Sequence, residues 1–154
     1  MNVTTAEIDT IYKIIEPLLG HKAWNVRLGV GSFITMEFGD PVTSSRGTIF
    51  GDWHLWIYCC GWFLENPNDT YVGSEDPREI LRQRIIVLEG RSLENVIISP
   101  IAFETNFIFD NSLTLHTFPL NFHDPCDYWK LYTPQRRVLI LGPAPKWSYE
   151  LSAG

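Results

Sequence analysis

Apolar residues recur at helical spacing in two segments of the chain. The first segment opens with Thr4-Thr5-Ala6-Glu7, a capping-box pattern, and the apolar positions 8, 11, 12, 15 and 18 follow on one helical face. Pro17 disfavours helix at the residue before it, so we expect this helix to kink or end there, with Gly20 as its stop.

The second helical segment begins at Asp76-Pro77, where Asp76 is the predicted N-cap and Glu79 completes another box. Its inward stripe is formed by Leu81, Ile85 and Leu88, and Gly90 ends it. Both helices are amphipathic, so each is expected to bury one face against a sheet.

Strands are predicted where apolar and polar residues alternate, at 24–28 and 32–38. The aromatic run 51–62 holds three of the six tryptophans and reads as one strand. Its apolar positions 53, 55 and 57 point to one face, and His54, Trp56 and Tyr58 point to the other. Since neither face is plainly polar, we expect this strand to be central and covered on both sides.

The last third of the chain alternates most regularly, over 101–109 and again at Leu113 and Leu115. Pairing Phe109 with Leu113 keeps both apolar sets on one face, which predicts a hairpin with a three-residue loop. Two more strands are predicted at 128–132 and 138–141. Polar segments predict loops at 39–46 and 66–74, and the prolines from 143 onward predict an irregular tail.

These elements predict an α+β fold in a single domain spanning 1–154. A mainly antiparallel sheet of roughly six to eight strands is expected, with the two helices packed against it. The expected core comprises Ile11, Ile15, Phe33, Leu55, Ile57, Leu81, Ile85, Phe107, Phe109, Leu113 and Leu115.

The composition is that of an ordinary globular protein, although aromatic residues reach 14%. The formal net charge of -6 disfavours nucleic acid as a partner and favours a basic protein. No apolar run approaches the roughly 20 residues that span a bilayer, and the N-terminal residues lack signal-peptide features. We therefore expect no membrane partner, a cytoplasmic location and reduced thiols at Cys59, Cys60 and Cys126.

Familiar chemical motifs are absent from the sequence, and no cofactor is predicted. The one zinc-like spacing is His123-Asp124-Pro125-Cys126. A second ligand pair is missing, because the adjacent Cys59 and Cys60 point to opposite faces of a strand. We therefore predict no metal site.

One candidate site lies on the predicted terminal hairpin. The register places Asn106 opposite His116 and Glu104 opposite Phe118, so Glu104, Asn106 and His116 share a face. A carboxylate, an amide and an imidazole together can carry out acid–base catalysis. The alternative is an ordinary solvated sheet face.

The other candidate site is the strand face that carries His54, Trp56 and Tyr58. Rings with a polar tip are typical of binding sites and interfaces, and they also occur in cores.

Two blocks carry a resemblance to known proteins. The segment 31–39, GSFITMEFG, followed by 53–58, WHLWIY, resembles a family of small, uncharacterised bacterial proteins, and 107–113 and 129–134 fit the same pattern. The resemblance covers nearly the whole chain and implies no catalytic residues. As a small, acidic α+β protein, the chain is also similar in class to the immunity proteins of bacterial toxin systems.

The leading hypothesis is a non-enzymatic binding protein that contacts a basic protein partner. Trp56 and Tyr58 are the expected anchors if their face is uncovered. The alternative is a small-molecule-binding protein or an enzyme, with a site around His116 and Glu104 or around His54 and Tyr58. A pocket in which one of these histidines meets a carboxylate or a thiol would favour the enzyme.

Overall fold

The computed structural model of the protein describes residues 3–67, 69–120 and 126–152. Its helices are α1 (Thr5–Ile15) and α2 (Arg78–Arg84), each followed by a short 3₁₀ helix, at Glu16–Leu18 and Ile85–Leu88. Its strands are β1 (Trp24–Leu28), β2 (Ile34–Thr43), β3 (Ile49–Ile57), β4 (Gly61–Asn66), β5 (Asp69–Gly73), β6 (Leu93–Ile98), β7 (Thr105–Phe109), β8 (Thr114–Phe118), β9 (Trp129–Tyr132), β10 (Arg137–Leu141) and β11 (Trp147–Leu151).

The strands form two antiparallel sheets. The first has the order β1-β2-β3-β9-β10-β11, and the second has the order β5-β4-β8-β7-β6. The α+β class with mainly antiparallel sheet is therefore confirmed, whereas the prediction that the strands form one sheet of roughly six to eight strands is wrong. The aromatic run is divided between the sheets, because the chain turns at 58–60 and the run becomes β3 of one sheet and β4 of the other.

Three strands lie where no strand was predicted. β5 replaces part of a predicted loop, β11 lies in the predicted tail, and β6 lies just after the second helix. All three are edge strands. An edge strand is half solvated and tolerates irregular patterns, and a bulge between Leu93 and Asn95 breaks the alternation of β6. β2 also runs on through the predicted loop to Thr43.

The two sheets share one apolar core. The indole Nε1 of Trp129 donates to the hydroxyl of Thr105 across the sheets at 3.0 Å, and the Trp129 ring meets Phe107 edge-on at 5.4 Å. The predicted core residues are buried with one exception. Phe33 is only half-buried, because its ring packs against Tyr58 instead of entering the core.

The helices pack against edge strands. α1 contacts β6, and α2 contacts β1 and β5. The predicted cap of α1 is confirmed, since the Thr4 hydroxyl accepts from the Glu7 amide at 3.1 Å. The predicted cap of α2 is wrong: Pro77 occupies the N-cap, and the carboxylate of Asp76 accepts from the Gly73 amide. None of the helices in the described part of the chain is long and apolar enough to cross a membrane.

Candidate functional site

Within the described residues, the second sheet covers one face of the central strand β3. Trp53, Leu55 and Ile57 on that face are buried, whereas Trp56 on the other face and Tyr58 just beyond the strand are partly exposed. The prediction that both faces are covered is wrong. β3 has strands on both sides within its sheet, but the second sheet packs against only the face that carries the apolar positions.

The uncovered side carries a continuous group of rings and polar groups, which we call the aromatic face. Ring centroids lie 4.5 Å apart for Phe33 and Tyr58 and 4.8 Å apart for Trp56 and Tyr58. Contacts at this range, with tilted planes, add to the stability of a ring cluster. The aromatic face consists of Phe33, His54, Trp56, Tyr58, Lys130 and Tyr132.

β9 completes the aromatic face from the neighbouring position in the sheet. Lys130 pairs directly with Trp56 in the ladder, and Tyr132 pairs with His54. The ring centroids of His54 and Tyr132 lie 5.7 Å apart. All six side chains of the aromatic face are partly exposed, and four of them lie on β3 and β9.

Beneath this surface, His54 contacts a buried carboxylate. Its Nδ1 atom lies 2.6 Å from Oε2 of Glu37, and Oε1 of Glu37 accepts from the Gly51 amide at 2.9 Å. The carboxylate of Glu37 thus has partners at both oxygens, as a buried charge requires. A carboxylate accepts from an imidazole N–H, so His54 donates through Nδ1, and Nε2 is the ring nitrogen that does not face Glu37.

His54 was among the predicted site residues, whereas Glu37 was not. The two residues pair across β2 and β3. That register depends on a bulge between Phe38 and Pro41, in a segment predicted to be a loop. The available signal was the turn at Ser44–Gly47. A hairpin centred on that turn would have predicted that Glu37 lies near His54.

The predicted hairpin is confirmed in its register. The Phe109 amide donates to the Leu113 carbonyl, and Nδ1 of His116 lies 2.7 Å from Oδ1 of Asn106. The carboxylate that reaches His116 is not that of Glu104, however. Glu65 on β4 provides it, with Oε1 lying 3.3 Å from Nε2. Both ring nitrogens of His116 are therefore occupied, which leaves this ring without an atom to offer a substrate.

The cysteines differ from the prediction. Cys59 and Cys126 form a disulfide, so the expectation of reduced thiols is wrong for this pair. Cys60 is the free cysteine of the described residues; it is buried, and burial raises the pKa of its thiol to about 12. His123, the other half of the zinc-like spacing, lies outside the described residues.

Two grooves open elsewhere on the surface. One, of about 370 Å³, lies between α1 and β6, and the other, of about 280 Å³, is lined in part by Tyr71 and Arg91. Neither groove is lined by His54 or His116. Each histidine thus meets a carboxylate, as an active site would require, but not inside either groove.

Residues 3–67, 69–120 and 126–152 contain no group of three or more His, Cys, Asp or Glu side chains placed to hold a metal ion. Comparison of the chain with protein-family models, with curated proteins and with solved structures found no match.

Proposed function

We propose that the protein is a non-enzymatic binding protein, that its partner is a basic protein and that the aromatic face is the docking surface. The observation that carries this proposal is the partial exposure of Trp56, on a central strand of a six-stranded sheet, and of Tyr58 just after that strand. Large rings with a polar tip, held on a rigid strand, are the side chains that most often anchor interfaces.

Charge supports a basic partner. The net charge is -6, because 18 acidic side chains outnumber 12 basic ones. A negative net charge speeds association with a basic protein and makes that association sensitive to salt.

Immunity proteins of toxin systems act by binding another protein. The resemblance of this small, acidic α+β chain to them agrees with the proposed role and stays a prediction. The cytoplasmic location also stays a prediction.

Affinity capture from the native cell at low salt tests the proposal. The baits are the wild type, a Trp56→Ala/Tyr58→Ala double variant, and Tyr71→Ala, which removes a half-exposed ring from the other sheet. We expect one stoichiometric basic protein with the wild type and with Tyr71→Ala, lost in the double variant and in high salt. Equal recovery with the double variant would place the interface elsewhere, and recovery of the bait alone would overturn the proposal.

The pair of His54 and Glu37 favours a second candidate function, an enzyme with His54 as general base. A histidine oriented by a carboxylate at Nδ1 and open at Nε2 is the arrangement of many hydrolases. Turnover of generic ester and phosphoester substrates that is lost in His54→Asn but kept in His116→Asn would support this candidate. Absence of turnover in the wild type would count against it.

A further inference from the structure

The ammonium group of Lys130 lies over two rings of the aromatic face at once. Its Nζ atom is 5.4 Å from the ring centroid of Trp56 and 5.5 Å from that of Tyr58. The faces of aromatic rings carry negative potential and attract a cation at this range. A carboxylate oxygen of Asp127 lies 3.7 Å from the same Nζ atom and supplies a counter-charge.

Rings and a carboxylate around one ammonium group are the features of a cation-binding site. We infer that Lys130 occupies such a site when the protein is alone, and that an arginine side chain of the basic partner replaces it on docking. This arginine stacks on Trp56 and Tyr58 and lies within reach of Asp127. This inference rests on the proposed function, because it names the chemistry by which the partner is recognised.

An incoming arginine must replace the contacts of Lys130, and the one with Asp127 is weak. The Nζ–Oδ2 distance of 3.7 Å is too long for a hydrogen bond, and the two side chains are 22% and 36% exposed. The flexible stem of Lys130 lets its ammonium group move into solvent without disturbing β9. Arginine is the favoured incoming residue, since its planar guanidinium stacks on rings and donates two hydrogen bonds to one carboxylate.

The chain offers a matched control at a second cation–ring contact. The guanidinium carbon of Arg84 lies 5.0 Å from the ring centroid of Tyr71, on the other sheet. Arg84 contacts one ring, whereas Lys130 contacts two. Removing Arg84 therefore uncovers the ring of Tyr71 and leaves Trp56 and Tyr58 unchanged.

Titration with Nα-acetyl-arginine methylamide tests the inference, with the indole and backbone signals of Trp56 and Tyr58 followed by ¹H–¹⁵N NMR. We expect Lys130→Ala to bind this probe about tenfold more tightly than the wild type, since removing the competing ammonium frees both rings. Asp127→Asn in the same background should lose most of that gain, and Arg84→Ala should match the wild type. Equal or weaker binding by Lys130→Ala, or tighter binding of Nα-acetyl-aspartate methylamide, would overturn the inference.

Lys130→Met keeps an apolar stem at the same position and removes only the charge, so it provides a second variant if Lys130→Ala fails to fold. An affinity between those of the wild type and Lys130→Ala is expected, and an affinity below the wild type would contradict cation exchange.

Capture of the partner separates this inference from the proposed function. If Trp56→Ala/Tyr58→Ala abolishes capture but Lys130→Ala does not strengthen it, the docking surface is correct and cation exchange is wrong.

Discussion

The Nδ1 atom of His54 lies 2.6 Å from Oε2 of Glu37, a residue that is only 4% exposed. The Gly51 amide donates to the other oxygen, so two donors converge on one buried carboxylate. This arrangement fixes the orientation of the imidazole, whose side chain is 26% exposed. The aromatic face therefore rests on a buried polar anchor and does not depend on ring packing alone.

Glu37→Ala is expected to destabilise the fold by about 2–3 kcal/mol, because it leaves the Gly51 amide without its acceptor and releases His54. A double-mutant cycle measures the coupling between the two side chains. It compares urea unfolding of the wild type, Glu37→Ala, His54→Ala and the double variant.

The pair of Glu65 and His116 is the matched control for that cycle. Its oxygen and nitrogen lie 3.3 Å apart, and the side chain of Glu65 is 46% exposed. Solvent screening should hold its coupling below about 1 kcal/mol. A coupling as large as that of Glu37 and His54 would contradict the role assigned to burial.

Tyr12 binds the outward-facing backbone groups of Ile98 at the free edge of β6. Its hydroxyl accepts from the Ile98 amide at 2.8 Å and donates to the Ile98 carbonyl at 3.3 Å. Tyr12→Phe removes both hydrogen bonds, so we expect a loss of about 1 kcal/mol and faster hydrogen exchange at the Ile98 amide. An open edge also promotes strand pairing between molecules, which sedimentation velocity would detect. Unchanged exchange at Ile98 would show that the hydroxyl does not protect this edge.

The parts of the fold that follow from local signals could be predicted from the sequence. The cap at Thr4 and the register of Phe109 with Leu113 depend on residues only a few positions apart. The division of the aromatic run could not be predicted in this way. Which strand pairs with which is decided by long-range packing, and nothing in the composition of 51–62 marks the turn at which the chain leaves one sheet for the other.

The same distinction applies to the candidate sites. His116 and Asn106 were placed together because both lie on one hairpin, whereas Glu65 comes from a strand 51 positions earlier in the chain. Glu37 was missed because a one-residue bulge sets its pairing with His54. The partial exposure of Trp56 follows from which face the second sheet covers, and a strand with large side chains on both faces leaves that open.

Because Cys59 and Cys126 form a disulfide, the protein should have one free thiol. A cytoplasmic location predicts three, because all the cysteines would be reduced there. Reaction with a chromogenic disulfide reagent should detect almost no thiol in the native protein, because Cys60 is buried. After denaturation without reductant one thiol should react, and after reduction three should react. Three thiols in unreduced, denatured protein isolated from the native cell would mean that the pair is reduced there, as the sequence predicted.

Cys60 also makes stability depend on pH in the alkaline range. Burial raises the pKa of its thiol from 9.0 to about 12, with a smaller opposing effect of a hydrogen bond to the backbone of Tyr58. Because the folded-state pKa is the higher one, the folded state retains the proton, and the stabilisation is fully present below pH 9 and is lost as the pH rises toward 12. Between pH 9 and about pH 10.5, the wild type should lose about 2 kcal/mol of unfolding free energy more than Cys60→Ala, whose side chain does not titrate. Urea unfolding of the two proteins at matched pH values measures the difference, and parallel curves would show that the thiol is not held protonated by burial.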